Sequence, residues 1–200
     1  MTASMPQRLR STGDWLRSKF MSGALILAYH RVADLPVDPQ RLSVSPRYFT
    51  EHLEILKKYC SPLSLRRLNG MLSEGELPRN PVAITFDDGY ADNLAQAKPL
   101  LERYSIPATV FVTAGQVGSG REFWWDELER IFLHSAVLPK KLCFDIDGTT
   151  IEWDLDGAET YDASAHEEWN VEVKEDPTPR HAAYRSVCQL LRPLSEARRH

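Results

Sequence analysis

Three short apolar runs stand out along the first part of the chain, at residues 24–29, 81–86 and 108–112. Continuous apolar runs of this length are typical of strands that are buried on both faces of a sheet. The first run ends at the polar pair His30 and Arg31, and the second ends abruptly at an Asp-Asp-Gly sequence. The pattern therefore predicts buried strands at residues 24–29 and 81–86, both followed by polar residues, and a third apolar, β-branched strand at residues 108–112.

Helical segments are predicted between these strands. Ser45 and Pro46 form an N-cap followed by proline at the first helical position, a combination that begins helices. Further helices are predicted over residues 63–72 and 92–104, and Pro99 is expected to kink or split the last one. Strands that alternate with helices in this way predict parallel βαβ units, and hence an α/β sheet or barrel.

The carboxyl ends of parallel strands lie at one rim of a sheet, where polar side chains can meet. His30 follows the first run, whereas Asp87 and Asp88 follow the second. We therefore expect these three side chains to lie at one rim.

The pattern changes from Arg121 onward. A short helix is predicted to begin at Trp124, a hairpin to turn at residues 147–148, and another helix to cover residues 182–191. We interpret residues 121–200 as an insertion or subdomain. Residues 1–23 are interpreted as a basic leader that is flexible or loosely docked, with attachment to a membrane surface as the alternative.

Composition narrows the classes of function. The net charge of −4, with no basic stripe, argues against a nucleic-acid partner. The longest apolar run is far shorter than the roughly 20 residues of a membrane helix, so neither a transmembrane span nor a signal peptide is predicted. The 3 cysteines lie far apart without C-x-x-C spacing, which predicts no disulfide or thiolate metal site and favours a cytoplasmic location.

Asp87 and Asp88 carry the most chemical information in the sequence. Two adjacent carboxylates at a strand end can have different chemical roles, since one can bind a metal while the other accepts a proton. Gly89 permits a tight turn that brings the backbone close to a ligand. The alternative is that the sequence Asp-Asp-Gly only forms a turn and caps the next helix.

The surrounding residues favour the first interpretation. The hexapeptide at residues 85–90, TFDDGY, resembles the first motif of the polysaccharide deacetylases, carbohydrate esterase family 4, and residues 91–93 and 106–112 resemble its continuation. Residues 28–32, AYHRV, resemble the segment that opens members with a permuted motif order, such as bacterial poly-N-acetylglucosamine deacetylases. The resemblance covers residues 24–118 well.

This resemblance implies a metal-dependent hydrolase that removes N-acetyl or O-acetyl groups from a glycan or polysaccharide. Asp87 matches the catalytic base, Asp88 an aspartate ligand of Zn²⁺ or a similar divalent ion, and His30 the general acid. The implied fold is a (β/α) barrel, of which residues 24–120 would form the N-terminal part.

One feature departs from the pattern of the family. Members complete the metal site with an H-[S/T]-x-x-H pair of histidines, which this sequence lacks. His134 and Ser135 begin like the pair, but Leu138 stands where the second histidine belongs. The other histidines have no such partner; they are His52, His166, His181 and His200. We therefore expect the C-terminal part of the barrel to be missing, with the pair encoded beyond residue 200.

Two other classes of function remain as alternatives. Residues 144–149 resemble the D-x-D-G-T motif of haloacid-dehalogenase-type phosphatases, although alternation on both sides favours a hairpin. The chain could instead be a non-catalytic carbohydrate-binding module, in which Trp124, Trp125 and Trp153 stack on sugar rings rather than join the core.

Overall fold

The computed structural model describes residues 23–146, 148–166 and 168–199. The described residues form two compact units, one from residues 23–33 and 44–112 and one from residues 34–43 and 113–199. Most of the predicted basic leader lies outside the described residues, as do Asp147 and His200. No helix in the described part of the chain is long and apolar enough to cross a membrane.

The first unit contains a parallel sheet with helices. Its elements in chain order are β1 (Leu25–Tyr29), β2 (Arg31–Val32), β3 (Ser43–Val44), α1 (Pro46–Tyr59), β4 (Ser61–Pro62), α2 (Leu65–Glu74), β5 (Pro81–Phe86), a π-helical turn (Asn93–Ala97), α3 (Lys98–Tyr104) and β6 (Ala108–Val110). Strand β5 pairs in parallel with β1, β4 and β6. The predicted α/β class is confirmed.

The predicted start of the first helix and the predicted effect of Pro99 are both confirmed. Ser45 caps α1, and its hydroxyl oxygen accepts a hydrogen bond from Tyr48 N at 3.2 Å. One face of helix α1 buries Phe49, Leu53 and Leu56 in the same core as the residues of β5. The helix predicted over residues 92–104 is split where Pro99 lies in the first turn of α3, directly after the π-helical turn.

The prediction of a buried strand is wrong for residues 24–29 and is confirmed for residues 81–86. Strand β5 is buried throughout, but Leu25 and Ile26 of β1 are 50% and 52% exposed. Val110 of β6 is also exposed, as is Val112, which follows it. Within the described chain, β1 has a strand partner on one edge and packs against the core on one face only, whereas β5 is central.

The second unit is built from helices and a hairpin. Its elements are a 3₁₀ turn (Ala114–Gln116), α4 (Trp124–Glu129), a π-helical turn (Arg130–His134), β7 (Lys141–Ile146), β8 (Thr149–Asp154), a 3₁₀ turn (Ala163–His166), α5 (Pro179–Leu191) and α6 (Glu196–Arg199). Its core gathers around Phe132, Leu155 and Tyr184.

The predicted hairpin is confirmed, and it excludes the phosphatase alternative. Strands β7 and β8 are antiparallel, with Phe144 opposite Ile151. Asp145 Oδ1 accepts a hydrogen bond from Gly148 N at 2.9 Å, so this carboxylate stabilises the turn. The phosphatase motif requires its first aspartate at the end of a parallel strand, and the antiparallel pairing contradicts that requirement.

Candidate functional site

The register of the sheet places His30 and Asp87 side by side. Tyr29 and Phe86 are partners at the ends of β1 and β5, so the next residue of each strand reaches the same rim. Asp87 N donates a hydrogen bond to Tyr29 O at 2.8 Å, which extends the pairing by one step beyond the strands. The positions of both residues are therefore set by the backbone of a buried strand and its neighbour.

The side chains of His30 and Asp87 approach each other without a direct hydrogen bond. His30 Nε2 lies 4.0 Å from Asp87 Oδ2, beyond the usual hydrogen-bond distance. The two side chains are 34% and 43% exposed, so a ligand can reach both. The structure brings together the two residues for which sequence predicted acid and base roles; the roles themselves stay predictions.

Asp88 and Gly89 form a left-handed turn at the same rim. Their φ angles are +67° and +77°, and Gly89 N donates to Asp87 O at 2.8 Å. A methyl group on Gly89 would lie 3.3 Å from both γ-carbons of Val112. Glycine is therefore required here both by the backbone conformation and by the close approach of a neighbouring side chain.

An aromatic cluster packs at the ends of β1 and β5, next to the rim. The ring of Tyr29 stacks on Phe86 at 5.6 Å and meets the edge of Phe49 at 5.2 Å. Tyr29 Oη is hydrogen-bonded to Nδ1 of His52, an exposed residue of α1, at 3.1 Å. Burial raises the pKa of the Tyr29 hydroxyl, so this group stays neutral at physiological pH.

Sequence reasoning missed a polar network beside the rim. Asp92 Oδ2 accepts a hydrogen bond from Arg31 Nε at 3.0 Å, and Asp92 Oδ1 accepts one from Val32 N at 3.1 Å. The Arg31 guanidinium lies 4.5 Å above the ring of Tyr90. The available signal was that Arg31 directly follows His30 and that Asp92 lies just beyond the aspartate motif.

The described histidines of the second unit have structural partners. His134 ends its π-helical turn, and its Nε2 lies 3.0 Å from Glu129 Oε1. Burial raises the pKa of Glu129 despite the opposing effect of His134. His181 is fully buried and its ring contacts that of His166, a cluster that the sequence did not reveal.

The described residues do not by themselves fit a complete metal site. Within residues 23–146, 148–166 and 168–199, no three His, Cys, Asp or Glu side chains gather closely enough to hold a metal ion. A protein Zn²⁺ site normally has three or four such ligands. The ligand role of Asp88 therefore stays a prediction, and no chemical step can be derived through a metal here.

An apolar cavity of about 600 Å³ lies in the first unit next to the turn. Its lining includes Gly89, Tyr90 and Val112, together with Leu94 and Lys98 from the helical segment that follows the turn. The rim therefore combines exposed polar groups with an adjoining apolar surface.

Part of this chain is similar in sequence to known proteins. The sequence model of the family described as Polysaccharide deacetylase matches residues 74–135. The chain is 27% identical over 125 residues to YxkH of Bacillus subtilis (strain 168), whose name describes it as a candidate polysaccharide deacetylase; the match covers 62% of this chain and 43% of that protein. It is 31% identical over 110 residues to the poly-β-1,6-N-acetyl-D-glucosamine N-deacetylase of Staphylococcus aureus (strain MSSA476), covering 48% and 38%.

Solved structures of deacetylases also match part of the chain. IcaB from Ammonifex degensii is 28% identical, with a TM-score of 0.45 and coverage of 55% of this chain and 48% of that one. The Streptococcus pyogenes deacetylase PplD in complex with acetate is 24% identical, with a TM-score of 0.44 and coverage of 72% and 66%.

The chain spans less than half the length of the two curated relatives named above. The family match includes Asp87, Asp88 and Gly89, the residues of the turn. The resemblance to polysaccharide deacetylases is therefore confirmed, and it rests on the match of residues 74–135 to the sequence model of that family.

Proposed function

We propose that this protein hydrolyses the acetamide group of an N-acetylated glycan, releasing acetate and a free amino sugar. The observation that carries the proposal is the 4.0 Å approach of His30 to Asp87 at a rim whose aspartate motif matches polysaccharide deacetylases. The named N-deacetylase of Staphylococcus aureus supports a polymer of N-acetylglucosamine as the substrate class. Removal of O-acetyl groups is the related alternative.

In the proposed reaction Asp87 is the general base and His30 the general acid. Asp87 accepts a proton from a water molecule, and the oxygen of that water molecule adds to the acetamide carbonyl carbon. The tetrahedral intermediate then collapses with cleavage of the carbon–nitrogen bond, while protonated His30 donates a proton to the departing amine. A positioned acid or base of this kind contributes about 10²- to 10⁴-fold to the rate.

We further propose Asp88 as one ligand of a divalent ion, with Zn²⁺ as the expected metal. The support is the resemblance of the motif to that family and the position of Asp88 beside Asp87. Since the described residues do not complete such a site, the remaining ligands have to come from elsewhere. We also propose that the parallel strands belong to a (β/α) barrel of permuted motif order, and that residues 121–200 are an insertion in it.

The test is acetate release from an N-acetylglucosamine oligomer, with added Zn²⁺, by a purified full-length protein that supplies the remaining metal ligands. We expect Asp87→Asn to abolish release while Zn²⁺ binding is retained, because the substitution removes the base and keeps the shape. Asp88→Asn should instead weaken Zn²⁺ binding. Asp145→Asn is the matched control, since that exposed carboxylate serves a hairpin turn in the second unit.

The outcomes separate the proposed enzyme from its main rival. Acetate release at the wild-type rate from Asp87→Asn and Asp88→Asn would contradict both assignments. Binding of the oligomer by the wild-type protein without any acetate release, with and without Zn²⁺, would favour the non-catalytic carbohydrate-binding module.

A further inference from the structure

Two consecutive residues, Asp92 and Asn93, hold the three residues that follow strand β1. Asp92 bonds to the Arg31 side chain through Oδ2 and to the Val32 backbone through Oδ1, at 3.0 and 3.1 Å. In the amide orientation that satisfies its hydrogen bonds, Asn93 Nδ2 donates to His30 O at 3.0 Å and to Asp92 Oδ1 at 3.3 Å. The segment from His30 to Val32 is therefore fixed at each residue.

The residues that form these hydrogen bonds are largely shielded from water. Asn93 is only 7% exposed, and the side chains of Arg31 and Asp92 are 23% and 12% exposed. Hydrogen bonds to charged groups that are shielded from water are stronger than those between neutral surface groups. The Asp92 carboxylate uses both oxygens, so its orientation is fixed as well.

The network joins the two halves of the candidate site. His30 belongs to the segment after β1, whereas Asp92 and Asn93 follow the turn that carries Asp87 and Asp88. The network therefore connects the segment carrying the acid to the segment carrying the base, across 60 positions in the sequence. Beyond the strands themselves, it sets the direction in which the chain leaves His30.

We propose that Asp92 and Asn93 are positioning residues, which hold the His30 backbone so that its imidazole faces the same ligand as Asp87. Neither residue touches the substrate in this proposal; both act through His30. The proposal rests on the proposed function, because it assigns the network a role in the acid step. A misplacement of about 1 Å can cost up to about 10²-fold in rate, so small movements of His30 suffice.

The experiment combines a structural and a kinetic measurement on the same variants. In a crystal structure of Asp92→Ala, we expect the distance between His30 Nε2 and Asp87 Oδ2 to exceed the 4.0 Å of the native protein, or the His30 ring to occupy several orientations. In acetate release, we expect kcat to fall by about 10- to 100-fold with little change in KM. Asp92→Asn, which keeps one acceptor oxygen, should lie between Asp92→Ala and the native protein.

A double-mutant cycle with His30→Ala tests whether the effect passes through His30. If it does, adding Asp92→Ala to His30→Ala should lower kcat by less than about threefold. Ser45→Ala is the matched control, since it removes a hydrogen bond that caps α1 and lowers thermal stability without touching the network. This control should leave kcat unchanged. If Asp92→Ala does not fold, Asn93→Ala provides the same test through the bond to His30 O.

The failures of the two proposals are distinguishable. An unmoved His30 ring in Asp92→Ala, or a full kcat loss from Asp92→Ala in the His30→Ala background, would overturn the positioning role. A His30→Ala variant with the native rate would instead overturn the acid role of His30, while the crystal structure would still decide whether Asp92 fixes the ring.

Discussion

The two compact units place histidine in opposite environments. His30 of the first unit follows a strand, is one-third exposed and lies beside a carboxylate with which it makes no direct hydrogen bond. His181 of the second unit lies in α5 and is fully buried. Its Nε2 is hydrogen-bonded to Tyr161 Oη at 3.0 Å and its Nδ1 to Thr178 Oγ1 at 2.8 Å.

This difference separates a histidine suited to chemistry from one suited to structure. A proton donor has to reach a ligand and exchange protons, which requires an accessible ring nitrogen. Both nitrogens of His181 are occupied, and burial lowers its pKa to about 4, with the nearby His166 adding to the effect. His181 therefore stays neutral at physiological pH and stabilises the second unit through fixed contacts.

The largest expected effect is on catalysis. We expect His30→Ala to slow acetate release by about 10²- to 10⁴-fold, the usual contribution of a positioned general acid. His52→Ala is the matched control in the same unit, since its ring is hydrogen-bonded to Tyr29 at the edge of the core. Comparable rates for His30→Ala and the native protein would contradict the acid role of His30.

The next effect concerns the pH dependence of stability. Because the folded-state pKa of His181 is lowered from 6.5 to about 4, the unfolded chain takes up a proton first as the pH falls. The contribution of His181 is therefore present above pH 6.5 and is lost between there and pH 4, by about 3 kcal/mol. Urea unfolding at both pH values measures this loss.

His181→Gln serves as the reference for that measurement. It removes the titrating group but keeps a side chain able to form hydrogen bonds, so the part of the loss that belongs to His181 should disappear. An identical pH dependence in the variant and the native protein would show that other groups cause the loss.

The smallest effect compares two glycines with similar backbone angles. Gly89 at the rim and Gly148 in the hairpin have φ angles of +77° and +74°, but of the two only Gly89 has described neighbours close to an added methyl group. Both alanine variants should be destabilised by about 1 kcal/mol from backbone strain, and Gly89→Ala by about 1 kcal/mol more from contact with Val112. Equal losses of stability for Gly89→Ala and Gly148→Ala in thermal unfolding would contradict the close approach of Val112 to Gly89.

Local sequence signals predicted most of the elements correctly. Ser45 with Pro46 marked the start of α1, and alternation on both sides of Gly148 marked the hairpin. These signals succeed because a cap or a turn depends on residues only a few positions apart. The shared rim was also predictable, since parallel strands place their carboxyl ends together.

Features that depend on distant residues were not predictable in the same way. The apolar run containing Leu25 and Ile26 looks like a buried strand, yet burial depends on which elements cover it. The bond between Arg31 and Asp92 joins residues 61 positions apart, and no local pattern encodes it. The burial of His181 likewise depends on the packing of residues distant in the sequence.

The proposed reaction requires His30 and Asp87 to act on one acetamide group. The most direct measurement is a crystal structure of the Asp87→Asn protein bound to an N-acetylglucosamine oligomer. We predict that the acetamide nitrogen lies within about 3.5 Å of His30 Nε2, with a water molecule between the substituted side chain and the carbonyl carbon. An acetamide group bound beyond the reach of both side chains would contradict the account.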